Sequence, residues 1–388
     1  MDFDLSDDQR LLKDSVDRLI GEHYGFEQRR KYLAVPAGSP LWPRYAELGL
    51  LGLPFPETEG GFGGGPVEIA LVMEAFGRGL ILEPYLASVI LGGGLIRRLG
   101  DAAQRAAYLP RIADGSLRFA FAHVERQSRW NLADVATEAR AAAGGFTLHG
   151  AKSLVLHGDS AGRLLVSARS AGARTDRAGI GLFLLDPAAP GVHRRGYPTQ
   201  DGLRAAELVL DGARAEAVLG DPTGALAGIE AAVDAAIAAL CAEAVGAMEA
   251  LRVLTLDYLK TRRQFGRPIG SFQALQHRAV DMLTAVEQAR SMALFATMSA
   301  EEPDPISRRR AICAAKAQIG RAARQVGQEA IQLHGGIGMT MEYAAGHYFK
   351  RLTMIDQSFG DADAHLAELA ALGGLFAAPN PPLFPPSA

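Results

Sequence analysis

The hydrophobic period changes twice along this 388-residue chain, and that change constrains the fold more than any other feature. Apolar residues first recur at three- and four-residue spacing, typical of helices, from Asp4 to Leu19. Further helical patterns are Val67 to Gly77, Tyr85 to Leu99 and Ala102 to Asp114. Between Arg118 and Leu219 the apolar segments are short, β-branched or alternating, and Gly, Asp, Asn or Pro separates them. They predict short strands, among them Gly145 to His149 and Ser153 to His157. Helical spacing returns at Gly224. The sequence therefore predicts three units in helical, β and helical order.

This order predicts an α+β multi-domain protein. We expect an N-terminal helical domain at 1–116, a middle antiparallel β-barrel or sandwich at 117–222 and a C-terminal four-helix bundle at 223–376, followed by an extended Pro-rich tail at 377–388. The four long helices of the bundle are expected at Ala225 to Arg263, Ser271 to Ala300, Ile306 to Leu333 and Ala344 to Leu372.

Composition excludes several classes of protein. The 40 basic and 43 acidic residues nearly balance, which argues against a nucleic-acid-binding protein. The two cysteines, Cys241 and Cys313, lack metal-ligand spacing and predict reduced, buried thiols. Acidic residues interrupt the most apolar stretch, Ala225 to Leu251, which argues against a membrane span. Because the N-terminus shows no signal-peptide pattern, we expect a cytoplasmic protein.

Acids near the C-terminus form the remaining candidate metal site. Acids that precede a helix more often cap it, so we expect no metal. The residues concerned are Asp356, Asp361, Asp363 and His365.

Two segments carry the sharpest signals for binding chemistry. The first, RRQFGRPIG at 262–270, places guanidinium groups, an amide and an aromatic ring at a helix end, an arrangement that can hold a phosphate and a ring system. The second, QLHGGIGMT at 332–340, puts glycines where backbone amides can approach a ligand closely. Taken singly, each is explained at least as well by a capped helix end or an ordinary Gly-rich turn.

Together with the order of the three units, these segments resemble the acyl-CoA dehydrogenase family of flavoproteins over essentially the whole chain. The similar text is RRQFGRPIGSFQALQHRAVDM and QEAIQLHGGIGMTMEY in the last unit, LLGLPFPETEGGFGGG in the first and GAKSLVLHGDSAGRLLVSAR in the second. Three further stretches, HVERQSRWNLADVAT, RRGYPTQDGLRAAEL and FKRLTMIDQSFGDADAHL, are most similar to the small subunit of the pimeloyl-CoA dehydrogenase type.

The resemblance implies that FAD binds between the middle unit and the bundle of a homotetramer or related heterotetramer, with part of each FAD held by a neighbouring subunit. The matching positions are Arg262, Gln264 and Phe265 at the neighbour's flavin diphosphate, Gln332, Gly335 and Gly336 at the turn on the adenosine side, and Gln273 in the flavin-binding helix.

The reaction that the resemblance implies needs a carboxylate that this sequence lacks at the usual positions. A glutamate removes the α-proton of the acyl-CoA thioester while the β-hydrogen leaves as hydride to the flavin, giving the 2,3-enoyl-CoA. Alignment through Arg351 and Gln357 places Gly360 at one usual glutamate position, and counting back from Arg262 places Ala236 at the other.

Two nearby carboxylates are candidate catalytic bases. Glu243 lies two turns beyond the second vacant position on the same helix face, but an acid paired with a basic group across the bundle explains it better. Asp361 is adjacent to Gly360, where a helix-capping role is at least as good an explanation. His157 and His334 are possible donors near the flavin, although a lone histidine is usually structural.

Three hypotheses follow for function. The main one is a subunit of an FAD-dependent acyl-CoA dehydrogenase, with a dicarboxylyl-CoA as one candidate substrate. Its paralogous partner in a heterotetramer would supply the glutamate, and an electron-transferring flavoprotein would accept the electrons. The alternative is a non-catalytic assembly subunit. The third is a self-sufficient homotetrameric enzyme that uses Glu243 or Asp361.

Overall fold

The computed structural model describes residues 4–35 and 40–376, so the predicted tail at 377–388 lies outside the described residues. The chain begins with a helical domain. Its first helix has a capping box between Ser6 and Gln9 and buries Val16, Leu19 and Ile20. The α-helices are Asp7–His23 (α1), Phe26–Leu33 (α2), Trp42–Glu47 (α3), Pro66–Gly79 (α4), Gly94–Leu99 (α5) and Ala102–Ala113 (α6), with a 3-10 turn at Glu57–Glu59.

The segment predicted as one helix from Tyr85 to Leu99 has two geometries. A π-helix occupies Tyr85–Gly93 and passes directly into α5. Two glycines let this segment pack closely, because a Cβ on Gly92 would lie 2.6 Å from Phe119 and one on Gly93 would lie 2.4 Å from the ring of Phe55. Since π-helical turns often occur at functional sites, this segment is a candidate wall of a site.

The middle domain is a sheet in the order β6-β7-β3-β2-β4-β5-β8. It is antiparallel as predicted except at two places, where β1 pairs with β4 in parallel and β2 meets β4 at one parallel pair. The two short strands predicted at 145–149 and 153–157 are one long strand, β3, with register shifts against β7. The strands are Phe119–Ala122 (β1), Glu138–Ala142 (β2), Gly145–Leu156 (β3), Arg163–Arg169 (β4), Ile180–Leu185 (β5), Val192–Pro198 (β6), Arg204–Arg214 (β7) and Ala217–Leu219 (β8).

The C-terminal domain is helical, and its first helix forms the core of the molecule. That helix, α7, crosses α4 at very short range, because Cβ atoms on Gly77 and Gly246 would each lie 1.9 Å from a backbone oxygen of the facing helix. Among the described residues α7 is the one helix long and apolar enough to cross a membrane, but 89% of its apolar window is buried within the fold. The helices are Leu226–Thr261 (α7), Gln273–Ser299 (α8), Pro305–His334 (α9), Ala344–Gln357 (α10) and Ala362–Ala371 (α11); a hairpin of Arg263–Gln264 (β9) and Arg267–Pro268 (β10) follows α7.

The fourth long helix, predicted from Ala344 to Leu372, is broken into α10 and α11. Phe359 and Gly360 have φ angles of 58° and 115°, which no α-helix accommodates. The buried ammonium of Lys316 donates to the backbone oxygens of Asp356 and Gly360, both at 2.7 Å. Hydrophobic periodicity missed this break because apolar residues continue at helical spacing on both sides of it.

Candidate functional site

A cleft between the sheet and the bundle contains a cavity of about 100 Å³, the cleft cavity. The sheet domain provides apolar walls at Leu154 and Leu156, and the bundle provides Val233 and Met354. The indole of Trp130 spans the cleft and donates to the backbone oxygen of Gln357 at 3.0 Å. The remaining lining residues are His123, Val124, Arg129, Leu132, Arg309, Ser358 and Phe359.

Unusual backbone geometry concentrates around this cleft. Six described residues other than glycine have positive φ angles, and three of them, Arg129, Leu154 and Phe359, line the cleft cavity. Leu154 lies where β3 shifts its register against β7, and its side chain is 39% exposed. A fourth, His157, lines a neighbouring cavity. Residues are held in this region at a cost of about 1–3 kcal/mol each, which is characteristic of functional sites.

His123 lies between two parallel aromatic rings in the wall of the cleft. Its imidazole stacks on Phe121 at 4.6 Å and on Phe359 at 5.5 Å between ring centroids. Burial and the nearby charge of Lys152 lower the pKa of His123 to about 3, so the ring is neutral at pH 7. Its Nδ1 atom is buried and has no partner among the described residues, which leaves it available to a ligand in the cleft.

A buried ion pair anchors the loop that carries Trp130. Glu125 accepts from Lys152 Nζ at 2.7 Å and from the backbone amides of Ala136 and Thr137. Burial alone would raise the pKa of Glu125, but Lys152 and these hydrogen bonds lower it to about 2.

The structure places Glu243 in a second, smaller cavity of about 40 Å³, the inner cavity, and binds it to a guanidinium there. Arg351 donates to both oxygens of Glu243, at 2.6 and 2.9 Å, and to Asp201 at 2.7 Å. Burial would lower the pKa of Arg351, but the two carboxylates raise it above its usual value. Glu243 is thus an acid paired with a basic group across the bundle, as its position in the sequence favours.

Asp361 has a structural role, and Gly360 and Ala236, the two positions without the usual glutamate, are closely packed. Asp361 caps α11 by accepting from the amide of Ala364 at 2.9 Å. A Cβ on Gly360 would lie 2.8 Å from the ring of His365, and Ala236 is fully buried in α7.

The predicted FAD residues lie at the other end of the bundle. Arg262 and Gln264 are exposed and make no side-chain hydrogen bond within the described residues, and Phe265 is 90% exposed. The ring of Tyr258 near the end of α7 lies 4.6 Å from that of His334 at the end of α9, so the hairpin and the Gly-rich turn are neighbours. Gln332 and Gln273 are exposed on the same two segments.

The two glycines of that turn suit close approach by a ligand. Gly335 has a φ of 62° and a ψ of −141°, which favours glycine strongly, and a Cβ on either Gly335 or Gly336 would meet no atom within 4 Å. His334 donates from Nδ1 to Ala330 O at 2.8 Å, while its Nε2 is buried without a partner among the described residues.

The two candidate regions are too far apart to serve one ligand in one chain. Val233 in the cleft cavity and Thr261 beside the hairpin are separated by most of α7, roughly 40 Å at 1.5 Å per residue. An extended dinucleotide is shorter than this. A cofactor bound in the cleft could therefore not also contact the hairpin of the same chain.

One group of side chains in the described part of the chain could hold a metal by distance alone: Cys313, His365 and Glu368. Arg309 binds both oxygens of Glu368, at 2.7 and 2.6 Å. His365 contacts Cys313 Sγ through Nδ1 and Phe359 O through Nε2. Each ligand atom is thus engaged by the protein itself, and both cysteines are free and buried, as predicted.

Several residues that line the two cavities could not be identified from the sequence. No local pattern points to the partnership of Arg351 with Asp201, because the two lie 150 residues apart. Trp130 and His123 lie in a segment quoted for its resemblance, but their contacts across the cleft depend on the break after α10. Leu154 reads as an ordinary strand residue.

Family models of the acyl-CoA dehydrogenase N-terminal, middle and C-terminal domains match residues 6–116, 120–213 and 225–371. Acyl-CoA dehydrogenase FadE12 of Mycobacterium tuberculosis is 31% identical over 350 residues, 87% of this chain and 88% of that protein. The chain belongs to the acyl-CoA dehydrogenase family.

Solved structures agree with this assignment. A variant of the Tcur3481-Tcur3483 steroid ACAD is 30% identical with a TM-score of 0.85, over 94% of this chain and 97% of that one. The ChsE4-ChsE5 complex from Mycobacterium tuberculosis is 25% identical with a TM-score of 0.85, over 98% and 100%. The cofactor of the family is FAD. The neutral, unpartnered Nδ1 of His123 and the open glycine turn fit a ring system and a phosphate-bearing ligand.

Proposed function

We propose that this chain is an FAD-binding subunit of an acyl-CoA dehydrogenase that converts an acyl-CoA thioester to the 2,3-enoyl-CoA. In this proposal a paralogous subunit of a heterotetramer supplies the catalytic carboxylate. One observation carries it: the cleft cavity is present, but the candidate carboxylates beside it are engaged. Gly360 has none, Asp361 caps α11 and Glu243 is bound by Arg351.

The residues of this chain would bind and orient the reactants. Bound FAD supplies the acceptor for the hydride that leaves the β-carbon. Leu154, Leu156 and Val233 give the cleft apolar walls that exclude water and strengthen the electrostatic interactions inside it. The neutral ring of His123 offers one hydrogen-bonding atom, Nδ1, to the cofactor or the thioester.

The hairpin and the Gly-rich turn would hold the FAD of a neighbouring subunit. Arg262 supplies a cation for the diphosphate, Gln264 an amide and Phe265 an exposed ring, while Gln332, Gly335 and Gly336 form the adenosine-side turn and Gln273 begins α8 beside them. The separation along α7 supports this division, because one FAD cannot reach both ends of the bundle.

Two structurally similar proteins support a heteromeric assembly. ChsE4-ChsE5 is a complex of two named proteins, and Tcur3481-Tcur3483 is a named pair. We include in the proposal the resemblance to the pimeloyl-CoA dehydrogenase small subunit, an electron-transferring flavoprotein as acceptor and a cytoplasmic location. The resemblance favours a dicarboxylyl-CoA as the substrate.

A non-catalytic assembly subunit is the second candidate function. The hydrogen bond from Trp130 to Gln357 across the cleft favours this second function. The structural roles of the nearby carboxylates favour it as well. The test is the flavin absorbance of the chain purified alone and co-expressed with a paralogous subunit, before and after anaerobic addition of acyl-CoA thioesters. We expect bound flavin that bleaches only in the mixture.

The other outcomes assign the function differently. Colourless protein that cannot be reconstituted, alone or in the mixture, supports the assembly subunit. Full bleaching by the chain alone contradicts the need for a partner and returns the search to Glu243 and Asp361. In that case Glu243→Gln with unchanged FAD content identifies the base if bleaching is lost. Glu249→Gln, a change to a partly buried acid paired with Arg252 on the same helix, is the control.

A further inference from the structure

A large open groove lies on the face of the sheet that points away from the core of the middle domain. On β3, Leu148 and Lys152 are buried on the core side, and Ala151 and Ser153, which alternate with them, line the groove. We call this space the sheet groove; it is bounded by β3, β6, β7 and the loop after β1. Its volume of about 600 Å³ lies within the range of ligand-binding pockets, about 300–1,000 Å³.

The sheet groove continues the cleft cavity along the same face of the sheet. Because β3 shifts its register between Lys152 and Val155, both of which are buried, the two residues between them lie on the outer face. Of these two, Ser153 lines the sheet groove and Leu154 lines the cleft cavity. From Leu154 to Ala151 the strand covers about 10 Å, at about 3.3 Å per residue. A ligand with one end in the cleft cavity can therefore extend along β3 into the groove.

Guanidinium groups without an acidic partner line the sheet groove. Arg126 and Arg195 are exposed, and their side chains make no hydrogen bond or ion pair among the described residues. Arg194 donates to the backbone oxygens of Gly158 and Ala161, at 3.0 and 3.3 Å, so no carboxylate neutralises its charge. Because the planar guanidinium matches the geometry of phosphate oxygens, these three side chains favour a phosphate-bearing ligand.

The two carboxylates of the lining do not reverse this charge. Glu125 is neutralised by its buried pair with Lys152, whose Nζ lies 2.7 Å from the carboxylate. Glu207 accepts from the hydroxyl of Tyr197 at 3.1 Å and is the one acid of the described lining without a cation. Three guanidiniums against this one carboxylate leave the groove positive, which attracts an anion.

A buried hydroxyl in the same lining has no partner. Thr137 is 1% exposed, and its Oγ1 atom makes no hydrogen bond within the described residues. A Cβ on Gly150, another residue of the lining, would lie 2.7 Å from this oxygen, so the hydroxyl lies directly beside a backbone without a side chain. A buried polar group without a partner is costly. Thr137 therefore points to a ligand independently of the arginines.

We infer that the sheet groove binds the diphosphate of a nucleotide whose other end lies in the cleft cavity. Arg126 and Arg195 are the cations of this site, and Thr137 is its buried hydrogen-bonding group. Two ligands of the proposed function have this chemistry, because FAD and the CoA thioester each carry a diphosphate between an adenosine and the part that reacts. The inference rests on the proposed function, since it takes the cleft cavity as the place of reaction.

Two probes distinguish the sources of the diphosphate. The affinity for FAD is measured by equilibrium dialysis, and the affinity for acetyl-CoA by calorimetry, both on the purified assembly that contains this chain. The calorimetry uses protein saturated with FAD, and acetyl-CoA binds without reacting because it has no β-hydrogen. In the double variant of Arg126→Gln and Arg195→Gln we expect the affinity for at least one probe to fall about tenfold or more, because the lost contacts are charged hydrogen bonds.

A second variant tests the buried hydroxyl. Thr137→Val keeps the shape of the side chain and should lower the affinity for the same probe by about threefold or more. The melting temperature of the unliganded protein should stay the same or rise, because the hydroxyl has no partner to lose; a purely structural role would lower it. Arg214→Gln, a change to an exposed guanidinium on β7 outside the lining, is the matched control and should change neither affinity.

The outcomes separate the inference from the function. A loss of affinity greater than that of Arg214→Gln supports the inference, and the probe that loses affinity identifies the source of the diphosphate. Losses no greater than that of the control, for both probes, overturn the inference and leave the proposed function standing. A wild-type assembly that binds neither probe overturns the proposed function, and the inference with it.

Discussion

The two ends of the C-terminal bundle differ in how their polar groups find partners. At the end beside the sheet, Arg351, Asp201 and Glu243 form a buried network that lies within the chain. At the other end, Arg262 and Gln264 reach into solvent with no side-chain partner among the described residues. The end beside the sheet, the closed end, is therefore complete within this chain. The end with the hairpin, the open end, has exposed polar groups that we propose bind the FAD of a neighbouring subunit.

This difference explains why stability and cofactor binding should respond to different mutations. Charges at the closed end are desolvated, so removing one partner should greatly lower the free energy of unfolding. Charges at the open end are solvated, so their loss costs little stability and should appear in binding instead. The predictions below test that separation.

The largest expected effect is on the closed end. Arg351→Met leaves Glu243 and Asp201 buried without a counter-charge, and we expect the free energy of unfolding to fall by about 3–5 kcal/mol. Denaturant titration of the two proteins measures this loss of stability. Arg140→Met, which breaks the exposed pair with Glu138, is the control and should change stability by less than about 0.5 kcal/mol. Equal losses from the two variants would show that the buried network does not hold this end together.

At the open end, Arg262→Gln removes the cation proposed for the diphosphate. Because hydrogen bonds to charged groups contribute about 1.5–3 kcal/mol, we expect FAD affinity to fall by roughly 10- to 100-fold with little change in melting temperature. The fraction of bound flavin after dialysis reports the effect. Lys260→Gln removes a neighbouring exposed cation and should retain FAD. If both variants lose FAD equally, general charge rather than Arg262 binds the cofactor.

Two substitutions in the Gly-rich turn distinguish the effect of backbone strain on stability from the effect of an added side chain on ligand binding. Gly335→Ala forces alanine into an unfavourable conformation and should lower stability by about 1–3 kcal/mol. Gly336→Ala has open space around its Cβ and should change stability by less than about 0.5 kcal/mol, while still reducing FAD affinity if the ligand approaches this backbone. Thermal melting and flavin content together distinguish the two effects, and unchanged FAD affinity in both variants would exclude the turn from the cofactor site.

The smallest effect concerns His123, the unpartnered group at the closed end. Its folded pKa of about 3 lies below its ordinary value of 6.5, so the unfolded chain binds the proton first and stability falls as pH drops from about 6.5 toward 3. His123→Phe preserves the stack with Phe121 and Phe359 and removes this penalty. At pH 5 we expect a gain of up to about 2 kcal/mol over the wild type.

His157 and His365 have pKa values lowered by burial in the same direction, to about 4 and about 3, so part of the slope should remain in His123→Phe. His277→Gln, a change to an exposed residue on α8, is the control. Chemical unfolding at pH 7 and pH 5 measures the difference. A pH dependence unchanged by His123→Phe would mean that His123 does not remain neutral in the fold.

Much of the architecture was predictable because it depends on periodicity. The switch from helical to β spacing near Arg118 and back near Gly224 follows from which faces must be buried, and the structure has helical, β and helical domains in that order. The break at Phe359 and Gly360 was not predictable, because buried hydrogen bonds from Lys316 hold it and no local pattern encodes them. The merging of two predicted strands into β3 likewise depends on pairing with β7.

The candidate site divides in the same way. The segments 262–270 and 332–340 carry their chemistry in adjacent residues, so they can be predicted as a cofactor site from the sequence alone. The sequence also shows that Gly360 and Ala236, at the positions that the resemblance assigns to the glutamate, have no carboxylate. Only the tertiary structure decided that Glu243 is bound by Arg351, that Asp361 caps a helix and that the cleft lies roughly 40 Å from the hairpin. The physical reason is sequence separation. Residue type and spacing determine local chemistry, whereas the partner of a buried charge comes from a distant part of the chain.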